Sequence, residues 1–273
     1  MGLRINSNLF SLNARRNLGI VSDRLAGNFA RLSSGLRIAT AADDAAGLGI
    51  SERMRAQIRS LNQAGRNAQD GISVVQTAEG ALSETNNNLS RMRELAVQAA
   101  NGTLNTGDRA VLDAEFIALI AEVDRVATDT KFNGVNLFTS AQTLSLQVGI
   151  EAGETLALSL SDMTESGLGL SIANFDLTSV SNASAALNTI DTAINSVTSF
   201  RGNLGATQNR LASASRSIAS TAENLSAAEA RIRDVDVAKE TADLTRNSIL
   251  QQASLSVLSQ ANVQPQLALS LLG

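Results

Sequence analysis

The chain of 273 residues contains no cysteine, no histidine, no tryptophan and no tyrosine, and it has a single proline. Without cysteine there are no disulfides, no thiolate nucleophile and no thiolate metal ligand. Without histidine the commonest general base and the commonest zinc ligand are gone as well. Catalysis would have to rest on carboxylates, serine or lysine, yet no Gly-rich phosphate loop, nucleophile elbow or paired-carboxylate motif occurs. An enzyme is therefore not expected, and no catalytic, cofactor or metal residue is assigned. Aromatics make up only 3% of the chain, which leaves little to stack on bases. Arg15, Arg16, Arg53, Arg55, Arg59 and Arg66 are dispersed among acids and apolar residues, so nucleic acid is not an expected partner. No apolar run reaches the roughly 18 residues of a membrane span, and no membrane insertion is expected. Arg4, Asn6, Asn8, Asn13, Arg15 and Arg16 interrupt the first segment, so export by a Sec-type signal peptide is not expected either.

What the chain does contain is 44% hydrophobic residues, enough for a core without staples. Apolar residues recur every seven positions at Met54, Leu61, Ala68, Val75, Leu82, Leu89 and Ala96, and again at Ile190, Val197, Leu204, Leu211, Ile218, Leu225 and Ile232. Strict heptads keep a seam on one helix face only where helices supercoil about a partner, so these segments are built to pack lengthwise. The smaller Thr207, Ala214, Thr221, Ala228 and Val235 follow three residues after the second series. Charge is uneven. Residues 1–66 hold 10 Arg against 4 acids, residues 67–230 hold 8 basic against 18 acidic side chains, and the net charge of the whole is −4. A basic end on an acidic body is suited to steering copies of the chain toward one another, or toward a polyanion.

Along the chain, Leu18, Val21, Leu25, Phe29 and Leu32 step by three, four, four and three, the narrow seam of a first helix. The pattern breaks at Ser34, Gly35 and the polar cluster 40–44, which predicts a boundary near residue 44. A long helix follows to about Ala100; from Met54 to Ala96 alone it spans on the order of 65 Å at about 1.5 Å per residue. Asn101 and Gly102 end it, and Leu112, Phe116, Leu119, Val123 and Val126 mark a shorter antiparallel partner. Asn133 and Gly134 predict a tight turn. Leu144, Leu146, Val148 and Ile150, then Leu156, Leu158 and Leu160, alternate with polar residues about a reversal at Glu151 to Glu154, which predicts a β-hairpin near 144–160. Residues 161–182 are rich in Ser, Thr, Asn and Gly and are expected to be irregular. A third long helix is expected from Ala183 through Ile232, and Leu250, Ala253, Val257 and Ala261 continue apolar spacing until Pro265 stops or bends the chain ahead of Leu267, Leu269, Leu271 and Leu272. The fold expected is mainly α, a long antiparallel helical coiled-coil bundle with a small β-hairpin region.

Several strings are more specific than periodicity. Ser33-Ser34-Gly35-Leu36-Arg37-Ile38, Ala41-Ala42-Asp43-Asp44-Ala45-Ala46-Gly47-Leu48, Gln76-Thr77-Ala78-Glu79-Gly80-Ala81-Leu82 and Met92-Arg93-Glu94-Leu95-Ala96-Val97-Gln98 resemble the amino-terminal region of bacterial flagellins. Phe132-Asn133-Gly134, Arg231-Ile232-Arg233-Asp234-Val235-Asp236, Gln251-Gln252-Ala253, Gln260-Ala261-Asn262 and Leu269-Ser270-Leu271-Leu272 resemble later parts of the same family. The resemblance implies a terminal coiled-coil core domain made of 1–44 together with 231–273, and a helical rod of 45–230 carrying the hairpin. It departs from many flagellins in having no separate outer domain.

The resemblance also implies a function: a structural subunit that self-assembles into the flagellar filament for swimming motility. It implies export through the flagellar type III channel to a secreted, extracellular location. Expected partners are further copies of the chain, an export chaperone, the filament cap and hook-junction proteins. Leu18, Val21, Leu25, Phe29 and Leu32 at one end, with Leu250, Val257, Leu269, Leu271 and Leu272 at the other, are the expected packing residues of the filament core. By resemblance, Arg91, Leu95 and Glu115 occupy positions through which flagellins contact Toll-like receptor 5, an apolar anchor ringed by charged hydrogen-bonding groups. The hairpin is a candidate switching element between filament forms. Two alternatives stand beside this reading, a hook–filament junction protein and an extracellular coiled-coil adhesin or scaffold.

Overall fold

The computed structural model describes residues 7–171 and 176–270, with side chains described to residue 264. The helices are α1 (Leu9–Ser34), α2 (Ala45–Ala99), α3 (Thr106–Asp129), α4 (Val180–Arg233) and α5 (Val237–Ser270). Between α3 and α4 lie four short strands, β1 (Lys131–Phe132), β2 (Val135–Asn136), β3 (Gln142–Gln147) and β4 (Thr155–Leu160). Two compact units emerge, one of residues 1–58 and 223–273 and one of residues 59–222. Their limits fall inside α2 and α4, whereas the polar cluster at 40–44 marks the start of α2.

In the unit of residues 59–222, the heptad residues of α2 and α4 form the seam expected of them. Ala68, Val75, Leu82, Leu89 and Ala96 from α2, and Ile190, Val197, Leu204 and Leu211 from α4, are buried in one cluster. Phe116, Ile120 and Val123 of α3 join that cluster. Burial of each large side chain contributes about 1.5–3 kcal/mol relative to exposure, which is why the seam outweighs the glycines that interrupt α2. The partnership of α2 and α4 is antiparallel, as ion pairs Glu79–Arg201 at 2.6 Å and Arg93–Asp191 at 2.7 Å show.

The turn between α2 and α3 is held by a buried cation. Arg109 donates from Nε to the Ala99 carbonyl and from a terminal nitrogen to the Asn101 carbonyl, both at 2.9 Å. It thereby satisfies oxygens that the end of α2 leaves without intrahelical partners. Asn105 caps α3 reciprocally with Asp108 in a capping box.

Asn133 and Gly134 take positive φ of 49° and 79°, the type of turn their pairing predicts, and β1 and β2 flank them as a two-residue hairpin. The larger hairpin pairs Gln142 with Leu160 through Gln147 with Thr155, and it buries Leu156, Leu158 and Leu160 on one face. It docks where α2 offers no side chain. A Cβ on Gly71 would lie 2.4 Å from Leu146 Cδ1 and 3.3 Å from Leu211 Cδ1. Beside it, Asn67 Nδ2 donates to the Gln147 carbonyl at 3.0 Å.

At two places the structure adds to what the sequence predicts. Residues 161–171 and 176–179 are irregular, yet Met163, Leu168, Leu170 and Leu177 are buried in the same core, so the stretch is part of the packing. Its composition hides this because four well-spaced apolar residues suffice to anchor a loop that makes no ladder. Of the two outcomes expected at Pro265, the stop is ruled out, since the last helix continues to Ser270. A proline removes one intrahelical bond and strains the turn before it, and a helix can continue beyond it with a kink.

Gly71→Val is expected to destabilise the 59–222 unit by about 1–3 kcal/mol through overpacking against Leu146 and Leu211. Urea unfolding followed by circular dichroism checks this; an unchanged midpoint would show that the hairpin does not need the close approach.

Candidate functional site

The unit of residues 1–58 and 223–273 pairs α1 with α5. Asn8 starts α1 by accepting the Ser11 amide at 3.1 Å, and Gly35, with φ of 71°, ends it by returning its amide to the Arg31 carbonyl. Gly35–Ile38 then runs antiparallel to the link between α4 and α5. Arg37 N donates to the Arg233 carbonyl at 2.7 Å and Val235 N donates to the Gly35 carbonyl at 3.0 Å. Arg233 also reaches Glu52 at 2.7 Å. The guanidinia of Arg233 and then Arg55 hold the Glu52 carboxyl below its ordinary value of 4.5.

The seam between α1 and α5 is unlike that of α2 and α4. On α1 the buried residues are Ser11, Ala14, Val21 and Asn28, and the leucines expected there, Leu18, Leu25 and Leu32, are half-buried. The a/d rhythm is carried by Asn28, one residue before Phe29. Phe29 is instead 57% exposed, because a step of four from Leu25 turns it off the seam. On α5 the inward residues are Glu240, Leu244, Asn247, Gln251, Ser254, Leu258 and Ala261. Leu250 and Val257 face outward at 42% and 60% exposure. Leu269 falls in α5 with its side chain outside the described residues, and Leu271 and Leu272 lie outside them altogether.

Large apolar side chains are therefore left exposed on both helices. Leu9, Phe10, Leu12, Ile20 and Phe29 on α1, and Ile249, Leu255 and Val263 on α5, are exposed along with Leu250 and Val257. Sequence reasoning missed Phe10, Leu12, Ile20, Ile249 and Leu255, since it searched for one apolar stripe per helix. Their signal was available as apolar residues out of phase with the seam. An exposed apolar surface rimmed by polar groups is what a protein-binding face looks like.

A second surface lies on α2 and α3. Arg91 bridges Glu115 at 2.8 Å and Glu94 at 3.0 Å, so two of the three recognition residues expected from sequence are brought together. Hydrogen bonds from Glu94 and then Glu115 raise the Arg91 pKa above its ordinary value. Leu95 is a correction. It is fully buried in the α2, α3 and α4 cluster and presents no anchor to the outside, because it lies on the seam face of α2 beside Ala96 and Met92. The exposed apolar neighbour is Val97. Among the described residues no group of histidine, cysteine or carboxylates has the makings of a metal site, and no helix is long and apolar enough to cross a membrane.

Comparison with known proteins places these features in a family. Residues 5–143 match the model of the bacterial flagellin N-terminal helical region, and residues 187–272 match that of the bacterial flagellin C-terminal helical region. The chain is 49% identical to a flagellin of Halalkalibacterium halodurans, over 98% of this chain and 99% of that one. It is 43% identical to a flagellar filament 30.7 kDa core protein of Treponema maltophilum, over 98% and 99%. Among solved structures, Bacillus cereus flagellin is similar with a TM-score of 0.51 at 36% identity, over 60% of this chain and 94% of that one.

Acid should weaken the ion pair between α2 and α4. The Arg93 hydrogen bond lowers the Asp191 pKa below its ordinary value of 3.8. A carboxyl whose folded value is depressed gives stability that is fully present above the unfolded value and lost as pH falls through the folded one. Thermal melting of the parent is expected to drop more between about pH 5 and about pH 3 than that of Asp191→Asn; equal drops would show the pair to be energetically silent.

Proposed function

We propose an assembly surface for this protein from one premise: the chain belongs to the bacterial flagellin family and is a structural subunit of the flagellar filament. The surface is the outward apolar face of α1 and α5, and copies of the chain are what cover it. The observation that carries this reading is the inversion just described, in which Phe29, Leu250 and Val257 stay exposed while Asn28, Glu240 and Asn247 are turned inward. Apolar area left in water is stabilised by about 25 cal/mol per Å² once neighbours cover it, so association has a driving force that the single chain leaves unused. Leu18, Val21, Leu25 and Leu32 support the pairing of α1 with α5, and Leu269, Leu271 and Leu272 are further candidate packing residues of the filament core. The terminal core domain is 1–44 with 231–273, and the rod is 45–230. In this role the protein is not an enzyme; it is exported to the cell exterior with a chaperone and polymerises beneath a cap on a hook-junction zone. The β-hairpin is the element that shifts when filaments change form.

Phe29→Gln combined with Val257→Gln is expected to abolish long filaments in electron microscopy while the melting temperature of the 59–222 core stays within about 2 °C, as surface changes usually do. Filaments of normal length from that variant would remove α1 and α5 from the assembly surface. A hook–filament junction protein would form only short zones and an adhesin or scaffold none, so filament length also separates those alternatives.

Recognition by Toll-like receptor 5 is proposed to rest on Arg91 and Glu115, with Leu95 acting by holding the helix surface in place. What supports this is the exposed charged cluster on α2 and α3. Arg91→Ala is expected to leave stability within about 0.5 kcal/mol, since exposed ion pairs contribute little, and to weaken receptor binding at least tenfold, about the 1.4 kcal/mol or more that truncating an interface hot spot costs. Leu95→Ala is expected to cost about 2–5 kcal/mol of stability as a buried cavity. Receptor titration alongside urea unfolding checks both; unchanged affinity of Arg91→Ala would count against the site.

A further inference from the structure

The α1 and α5 seam is built from small, polar and half-buried residues, and both helices repeat every seven positions. Sliding one helix by a heptad would again place leucines and small residues in the seam, at little cost in apolar packing. Apolar contacts therefore discriminate poorly between registers, and hydrogen bonds must do so.

Asn28 is placed for that task. It is buried on α1, donates from Nδ2 to Glu240 Oε1 and accepts at Oδ1 from Asn247 Nδ2 at 2.7 Å. Its two partners sit one heptad apart on α5, so a single amide grips successive repeats. Arg31 approaches the Glu240 carboxylate at 4.0 Å and also faces Asp43 at 3.6 Å. Toward the other end, Asn8 Nδ2 donates to the Ala261 carbonyl at 2.7 Å and Ser11 Oγ donates to Asn262 Oδ1 at 2.8 Å. A heptad slip one way leaves Asn28 beside Asn247 and Ser254 and carries Glu240 away from it. A slip the other way sets the Glu240 carboxylate where the Asn247 amide donated, so that Asn28 Oδ1 meets an acceptor; either slip breaks the two-sided grip. Leaving buried polar groups unpaired is the expensive outcome, and a single buried Asn is known to specify helix register for this reason. Resting on the reading of α1 and α5 as assembly elements, we propose that Asn28, Glu240 and Asn247 are positioning residues that fix the register in which these helices pair.

The chain has no cysteine, so engineered pairs report register cleanly. Ser22 and Gln251 face each other, with the amide nitrogen 3.5 Å from the hydroxyl. S22C with Q251C therefore marks the native register, while S22C with L244C and S22C with L258C mark a slip of one heptad either way. Oxidative cross-linking is followed for each pair in the parent sequence and in an N28L, E240L, N247L background, both in seeded filaments and in the free full-length chain. In the parent, the native pair should form at least about tenfold faster than either slipped pair; in the apolar background that preference should fall to within about threefold. E240Q alone keeps an acceptor for Asn28 and should retain the parent preference, whereas E240M fills the same space without an acceptor and should lose most of it; full retention by E240M would overturn the hydrogen-bonding role. A preference of about tenfold or more persisting in the apolar background would overturn the proposal. So would the failure of every pair to cross-link in both states. If the apolar variant does not polymerise, the free chain decides by the same ratio. Absence of filaments from the parent would instead defeat the assembly reading and leave the register result standing.

Discussion

A helix with apolar side chains every seven residues cannot bury its own seam, and the structure follows from how each helix meets that constraint. Along α2 from Ala68 to Ala96 and α4 from Ile190 to Leu211 the seam residues are Leu, Val, Ile and Ala, all buried, and α3 closes the remaining side with Phe116, Ile120 and Val123. Along α1 and α5 the same spacing is occupied by Ser, Ala, Asn, Gln and Glu, with leucines only half-buried. The period sets the geometry in both places; the residue type decides how much free energy the geometry releases. With about 0.8 kcal/mol per buried methylene, the first seam supplies a stable core and the second only a weak pairing.

The parts that complete the core of residues 59–222 are less regular but equally constrained. The hairpin needs a backbone surface to lie on, which Gly71 supplies. Phe138 and Phe200 meet edge to face at 6.2 Å between ring centres, an arrangement in which the ring edge meets the negative face. Met163 returns the loop by donating its amide to the Phe138 carbonyl at 3.0 Å. Asp113 and Asp124 of α3 accept the amides of Leu177 and Glu165, so backbone groups of an irregular stretch gain partners that no ladder provides.

The sequence made the periodic elements legible because period and burial coincide there. The α2 and α4 heptads, the Asn133-Gly134 turn and the alternation of Leu156, Leu158 and Leu160 all follow from side-chain direction alone. What escaped was decided by competition between faces. Phe29 reads as part of the α1 seam because it is large and apolar, yet three-four spacing from Leu25 admits Asn28 as readily, and two hydrogen-bonding partners on α5 favour the amide. Leu95 reads as a surface anchor because its string is shared with a family, yet its place beside Ala96 in the heptad turns it inward. Charged partners such as Arg91 with Glu115 needed the pairing of two helices before their contact existed at all.

Placing polar groups in a pairing seam and apolar groups outside it separates two tasks that a conventional coiled coil performs with one set of residues. Hydrogen bonds are short-ranged and directional, so Asn28, Asn247 and Glu240 discriminate between registers while adding little net stability. Apolar burial is non-directional and scales with area, so the outward Phe29, Leu250, Ile249 and Val257 add affinity without dictating alignment. An apolar seam would let the helices pair strongly in several alignments, each presenting a different outer face. A polar seam makes the pairing weak alone, yet ensures that any copy covering the outer face meets one arrangement of it. For a subunit that must repeat the same contacts along a filament, uniqueness of the presented face matters more than the strength of the pair that presents it.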